Sequence, residues 1–251
     1  MDFYERLLQA AGKRASGLRL ETLSIGLGYT AACVDGGGLG VAFTPDAGGA
    51  GCSLLGPGEE YEGRPAQEAL ELLCSQSGVH RAIGLAVANA VNHAHAMALD
   101  EDRDNAVMLD ALGIGQGTRV AMAGLFKPLV KRIRDRGAEL AVGDRGKGIG
   151  DEKEFKHKLG AWAEAAIITS TSIVNNSLPE LLGSLGPDTK TALVGPSTPL
   201  LPEIFSGLGV HLLAGTVPMD REALFKAIRH AKGTPVIQRF SRKVLIPVQS
   251  E

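Results

Sequence analysis

Four short stretches of the chain end in residues able to bind or react: "AGLFKP", "ITSTSIVNNSLP", "VGPSTP" and "AGTVPMD". In each, an apolar β-rich run gives way to Gly, Ser, Thr or Asn and then to a proline near an expected helix start, where the first turn has no intrahelical use for the missing N–H. Hydroxyls, amides and open backbone N–H groups suit a carboxylate, a phosphate or an amide better than a soft metal. The polar groups so placed are Gly124 and Phe126 in the first stretch, and Thr169, Ser170, Thr171, Asn175 and Asn176 in the second. Gly195, Pro196, Ser197 and Thr198 follow in the third, with Gly215 and Thr216 in the fourth. Ser177 and Glu180 have capping-box spacing, which assigns the next helix start to Ser177. The adjacent pair Asn175 and Asn176 then exceeds what a cap and a turn need, so both amides are expected in the floor of a ligand pocket. Helix starts at Ser177 and after Thr198 should aim free N–H groups into the same pocket, favouring an anion.

Other patterns test specific cofactors. A dinucleotide fingerprint would need GxGxxG after the first strand, and the chain offers "GLFKPL" with only Gly124 in place, Phe126 and Pro128 crowding a pyrophosphate and Lys127 able to meet an anion. The spacing to an acid fits, because Asp144 follows about twenty residues later, where a ribose-binding carboxylate would sit. An NAD-type nucleotide therefore has one match and one miss. The glycines of "DGGGLG" lie between strand-like residues and read as a hairpin turn, and "GDRGKGIG" reads as a solvated loop. In "AVANAVNHAHAM", Asn89, Asn92 and His93 share one helical face, where amides need partners if buried, and Asn89 and Asn92 are expected to face the ligand pocket from the first half of the chain. His93 and His95 stand two apart on that helix and point in different directions, so no metal is expected between them. Tyr29 and Thr30 in "GYTAAC" form a further patch that could face the second half of the chain.

These residues must be held by something, and the rhythm of the chain says what. Residues 1–105 read as a helix, a β-meander and two helices, an α+β unit; residues 118–251 alternate strand and helix, which predicts a mainly parallel, Rossmann-like sheet with helices on both faces. The charged run and Gly-rich turn between them mark the expected domain junction. The 26 basic and 28 acidic residues leave a net charge of −2, with neither a nucleic-acid footprint nor a polybasic membrane signal. Cys33, Cys52 and Cys74 form no CxxC pair, fitting reduced thiols, and the chain shows no secretory leader, so a cytoplasmic location is expected. A homo-oligomer is compatible with this composition.

Taken together, "GLGYTA", "AVANAVN", "AGLFKPLV", "IITSTSIVNNSLPELL", "LVGPSTPLLPEIF" and "LLAGTVPMD" resemble a prokaryotic family of uncharacterised proteins described as "putative heavy-metal chelation" proteins. The resemblance implies an N-terminal domain like that of enolase joined to a Rossmann-like domain, with an active site at their junction. The expected function is binding or processing of a small anionic metabolite or metal chelate in that cleft, linked to heavy-metal handling. The alternative is an enzyme using a nucleotide-type cofactor. The sequence displays no nucleophile and base pair that would assign a reaction.

Overall fold

A computed structural model of the protein describes residues 1–46 and 54–249; Cys52 lies outside them. The chain opens with helix α1 (Phe3–Arg14), whose Asp2 and Glu5 form a reciprocal capping box. An antiparallel meander follows, β1 (Leu20–Ile25), β2 (Tyr29–Val34) and β3 (Gly38–Phe43), with the expected Gly-rich turn between the last two. Helices α2 (Ala66–Leu70), α3 (Gly78–Val91) and α4 (His93–Met97) complete this layer. The sequence reads α3 and α4 as one helix; the structure breaks them at Asn92.

After α5 (Ala106–Ala111) the rhythm becomes regular: β4 (Arg119–Ala123), α6 (Lys127–Asp135), β5 (Glu139–Gly143), α7 (Glu152–Ala161), β6 (Ala165–Thr169), α8 (Thr171–Val174), α9 (Leu178–Gly183), β7 (Lys190–Val194), β8 (Leu212–Pro218), α10 (Arg221–Arg229), α11 (Thr234–Ile237) and β9 (Ser241–Pro247). Five of these strands pair in parallel in the order β5-β4-β6-β7-β8, and β9 closes the edge antiparallel to β8. The protein is thus a mixed α/β structure with a six-stranded, mostly parallel sheet and a separate three-stranded antiparallel sheet.

Strand alternation decides what covers each face. Val120, Met122, Ala165, Ile167, Ala192 and Val194 pack with Met108 and Leu109 of α5 and Leu129 and Ile133 of α6. Ala121, Ala123, Ala166, Ile168 and Leu193 point the other way, into a core shared with α7, α9 and the N-terminal layer, including Leu7, Leu70 and Ile83. One hydrophobic cluster therefore runs through both halves of the chain. The meander is covered twice: α3 lies on one face, while Leu224, Phe225 and Ile228 of α10 with Ile237 of α11 seal the other. All six residues of β2 are consequently buried.

The close fit of α3 against β3 rests on missing side chains. A Cβ added to Gly40 would lie 2.0 Å from the Ala86 carbonyl oxygen and 2.3 Å from the Ala90 nitrogen. Gly40→Ala should therefore lose at least about 1–3 kcal/mol, because the backbones themselves must separate. By contrast, an added Cβ on Gly12 in α1 meets nothing, so Gly12→Ala should gain about 0.5–1 kcal/mol. Urea unfolding of the two variants checks the pair, and equal effects would contradict the packing described.

Candidate functional site

Numbering the parallel strands in their own order, the sheet runs second, first, third, fourth, fifth, so its direction of winding reverses between β4 and β6. Open α/β sheets of this order bind ligands at the carboxyl ends of the strands flanking the reversal. Gly124 and Thr169 meet there. Gly124 has φ +91°, and a Cβ on it would lie 2.8 Å from the Thr169 side chain. Thr169 and Thr171 hydroxyls pair at 3.1 Å and stay partly exposed. On the other side of β6, Gly195 has φ +137° and sits so close to Ser170 that an added Cβ would be 2.6 Å from Oγ. The Ser170 hydroxyl is fully buried and has no partner among the described residues.

Several of the expected pocket groups are instead consumed locally. Asn175 Oδ1 accepts both the Ser177 N–H at 3.2 Å and the Ser177 hydroxyl at 2.7 Å, and Asn176 takes the left-handed conformation with φ 61°. The capping box at Ser177 and Glu180 is absent: Ser177 is in helical conformation, its hydroxyl donates to Asn175, and Glu180 pairs with Lys156. Each amide thus meets a local need, one closing an Asx turn and the other supplying positive φ. The element that follows Thr198 is not an α-helix but a single 3₁₀ turn, Pro202–Phe205, and α9 has only six residues. The free N–H groups expected at those two starts are therefore not an anion site. Gly215 and Thr216 lie inside β8, paired with Val244 and Lys243 of β9, because β8 runs two residues beyond Thr216.

The hydroxyls after β7 also face inward. Ser197 Oγ accepts the Phe43 N–H at 2.8 Å and Thr198 Oγ1 donates to the Ala214 carbonyl at 3.1 Å, while Pro196 is buried. Asp144 does not stand free for a ribose: Oδ2 accepts the Leu125 N–H at 2.9 Å and Lys147 Nζ at 2.8 Å, and Oδ1 accepts the Lys147 N–H. Burial pushes this carboxyl up, but Lys147 and the two backbone donors outweigh it and hold it below the usual carboxylate range. Phe126, partly buried, packs beside α6. Asn89 donates to the Val41 carbonyl, Asn92 to the Leu200 carbonyl and His93 contacts the Pro218 carbonyl at 2.8 Å, whereas His95 is exposed. Tyr29 spends its hydroxyl on Thr234 and Thr30 on Thr44, each inside a packed layer.

What the strand ends lack, a groove on the other side of α9 supplies. Its volume is about 780 Å³, within the usual range for small-molecule sites, and both halves of the chain line it. Phe3 and Tyr4 of α1 and Leu73, Cys74 and Ser75 ahead of α3 form one wall; Asn176, Leu178, Pro179 and Leu182 form the other. Arg81 lies in its floor, only 7% exposed. Its Nε donates to the Val174 carbonyl at 2.8 Å and Nη1 to the Ser75 carbonyl at 2.6 Å. Among the described residues no carboxylate pairs with it, and Nη2 has no acceptor. Tyr4 beside it donates to the Ile173 carbonyl at 2.7 Å, and burial pushes its phenol up to about 12. The Cys74 thiol is raised by burial and by Asp2 and Glu5, so it is protonated at neutral pH. Arg81 is not among the residues that the strand-end motifs single out. The signal was present in "HRAIGLAVANAV", where one arginine on a helix apolar nearly all round must be buried and satisfied.

Fold and groove together define a doubly wound α/β protein with a small antiparallel α+β layer packed on one sheet face. Two family models, both described as "Putative heavy-metal chelation", match residues 107–247 (DUF364) and residues 8–92 (DUF4213). The chain belongs to the DUF364 family. It is 23% identical to an uncharacterized protein of Methanocaldococcus jannaschii, over 98% of this chain and 96% of that one. Its fold resembles the crystal structure of a DUF364 protein of unknown function from Pyrococcus horikoshii (TM-score 0.81, 23% identity, 98% and 100% of the two chains). A second such protein, from Desulfitobacterium hafniense, gives a TM-score of 0.75 at 20% identity over 97% and 99%. Among the described residues no three His, Cys, Asp or Glu side chains cluster as a metal site, and no helix is long and apolar enough to cross a membrane.

The two serines at the strand ends make opposite demands. Ser170→Ala removes a buried hydroxyl that bonds nothing and should leave stability unchanged or raise it. Ser197→Ala leaves the Phe43 N–H without its acceptor and should cost about 1 kcal/mol. If urea unfolding shows Ser170→Ala losing as much as Ser197→Ala, that hydroxyl has a bridging partner.

Proposed function

We propose that the protein holds a small organic anion in the groove between its two halves, with Arg81 as the anchor. The observation that carries this reading is a buried guanidinium held by two carbonyl oxygens and ion-paired to no carboxylate among the described residues. Burying an unpaired charge costs several kcal/mol, and carbonyl acceptors satisfy its N–H groups without neutralising it. A ligand carboxylate or phosphate on the open side would supply the missing charge, and guanidinium groups favour such planar or multi-oxygen anions. The surrounding Leu and Pro side chains and the Phe3 and Tyr4 rings suit an organic body more than a bare inorganic ion.

The family description directs attention to heavy metals. Around the groove the donors are the Arg6 and Arg81 guanidiniums, amides, hydroxyls, the Met1 thioether, one carboxylate at Asp2 and one protonated thiol at Cys74, and among the described residues no three metal-ligating His, Cys, Asp or Glu side chains cluster, which does not fit direct capture of a soft cation. They fit the carboxylates of an organic chelator, so a metal chelate falls within the same ligand class. A nucleotide-type cofactor at the β4/β6 reversal has less support, because Asp144 is committed to Leu125 and Lys147.

Calorimetric titration with succinate tests the anchor. A buried charge-assisted pair contributes roughly 1.5–3 kcal/mol, so Arg81→Met should weaken binding about 10- to 100-fold and Arg81→Lys less. Because Arg81 also holds Val174 and Ser75, a second measurement uses the unaltered anchor: in a Cys52→Ser background, succinate should slow maleimide labelling of Cys74. Equal affinity in a folded Arg81→Met variant, or Cys74 labelling indifferent to succinate, would end this reading.

A further inference from the structure

We propose that the wall of this groove carries an acyl-transfer relay, Ser75, His80 and Glu59, acting on small esters that bear an acidic group. The inference rests on the groove reading above and adds a reaction to it. Ser75 lines the groove, and its Oγ lies 3.1 Å from His80 Nδ1. The opposite ring nitrogen, Nε2, lies 3.1 Å from Glu59 Oε1, within ion-pair distance though off the line of an ideal hydrogen bond. Glu59 is itself aimed by its other oxygen, which accepts the Gly56 N–H, and that bond together with the His80 contact holds the carboxyl below its ordinary value. A hydroxyl, an imidazole and an ionised carboxylate in sequence form the relay of acyl-transferring enzymes, recognised by geometry and not by position in the chain. Here the two ring nitrogens exchange their usual roles, which alters no step, since either can take a proton while the other donates one.

Two further groups complete the chemistry. Gln76 also lines the groove, and its N–H has no acceptor among the described residues. It directly follows Ser75, the place where acyl-transfer enzymes draw an oxyanion donor. Arg81 Nη1 is bonded to the carbonyl of Ser75 itself, so an acid group on the guanidinium is held next to the residue that carries the nucleophile. That short span selects a compact substrate, an ester of a small dicarboxylic acid or of a hydroxy acid.

The helix start alone does not account for this arrangement. Capping α3 needs Ser77, whose Oγ faces the His80 N–H at 3.4 Å, and Ser75 Oγ also accepts the Ser77 N–H at 3.1 Å. Neither bond requires an imidazole at His80, a carboxylate on it from a separate loop, or an open N–H at Gln76. One lone pair and the proton of the Ser75 hydroxyl stay available. In the reaction, Oγ bonds to the ester carbonyl carbon while His80 Nδ1 takes its proton. The carbon–oxygen bond to the alcohol then breaks, and His80 returns the proton to the leaving oxygen. Water, deprotonated by His80, attacks the acyl carbon; the bond to Oγ breaks, Ser75 regains its proton, and an acid and an alcohol leave.

The test uses the full chain with two probes. A fluorophosphonate should modify Ser75, located by peptide mass spectrometry, and 4-nitrophenyl hemisuccinate should be hydrolysed faster than 4-nitrophenyl acetate. Ser75→Ala should abolish both, and His80→Gln should slow both by about 100-fold or more. Ser77→Ala, which loses only the cap, should keep both. Glu59 is a positioning residue: Glu59→Gln should slow labelling without shifting the melting temperature, and Glu59→Asp should restore part of the rate. Unmodified Ser75 in a protein that binds succinate would overturn the relay and leave the groove reading standing. Ser75 labelling with no preference for the hemisuccinate and no succinate binding would overturn the anionic substrate class and the groove reading with it.

Discussion

The Arg81 guanidinium joins the two halves of the chain at the end of α8. It projects from the first turn of α3 and reaches the carbonyl of Val174 at the end of α8, while Tyr4 takes the neighbouring Ile173 carbonyl. Helix α8 has only four residues; its Ile173 carbonyl takes the Asn176 N–H at 3.3 Å, but the Val174 carbonyl receives no backbone N–H among the described residues and would be stranded in the core. Donors from the N-terminal layer satisfy them. The same bonds that complete one half fix the other against it, and the groove exists because these two side chains hold its floor.

Other hydrogen bonds repeat the pattern along the junction. The Phe43 N–H ends on Ser197, Asn92 on Leu200 and His93 on Pro218. Arg14, bonded to Asn92 and paired with Glu203, extends the line to the surface. Each joins a side chain to a backbone group or an ion across the boundary, and each lies beside the continuous apolar core. Polar groups inside such a core are costly when unmatched, so they restrict the register at which the halves can pack.

Small residues allow this degree of burial in a chain with 4% aromatic content. Ala86 and Ala90 of α3 approach Gly38 and Gly40 of β3 with backbone nearly touching backbone, and Gly84 does the same against Leu73. Such contacts exchange side-chain volume for close approach of the main chain. They hold α3 close on the meander, which keeps Arg81, at its N-terminal end, in the floor of the groove.

The sequence by itself determined the strand and helix alternation of the second half, the meander of the first, and the arrangement of Gly124, Thr169 and Gly195 along one edge of the sheet, because period and turn chemistry are local properties. It also marked Asn89, Asn92 and His93 as needing partners. It did not show that Asn175, Ser177 and Thr198 would be spent on internal bonds while Asn176, beside the first two, lines the groove, since which groups come within reach of a hydroxyl or amide was decided by neighbours in space. For Asn175 the neighbour was two residues away; for Ser197 it was Phe43, far along the chain. Arg81 shows the reverse case. Its type and apolar setting were visible, but only the packing of α3 against α8 decided that its charge would lie in a groove bonded to two carbonyls and paired with no carboxylate among the described residues. A charge is neutralised or left open by the elements that meet around it, and those elements meet only in the folded chain.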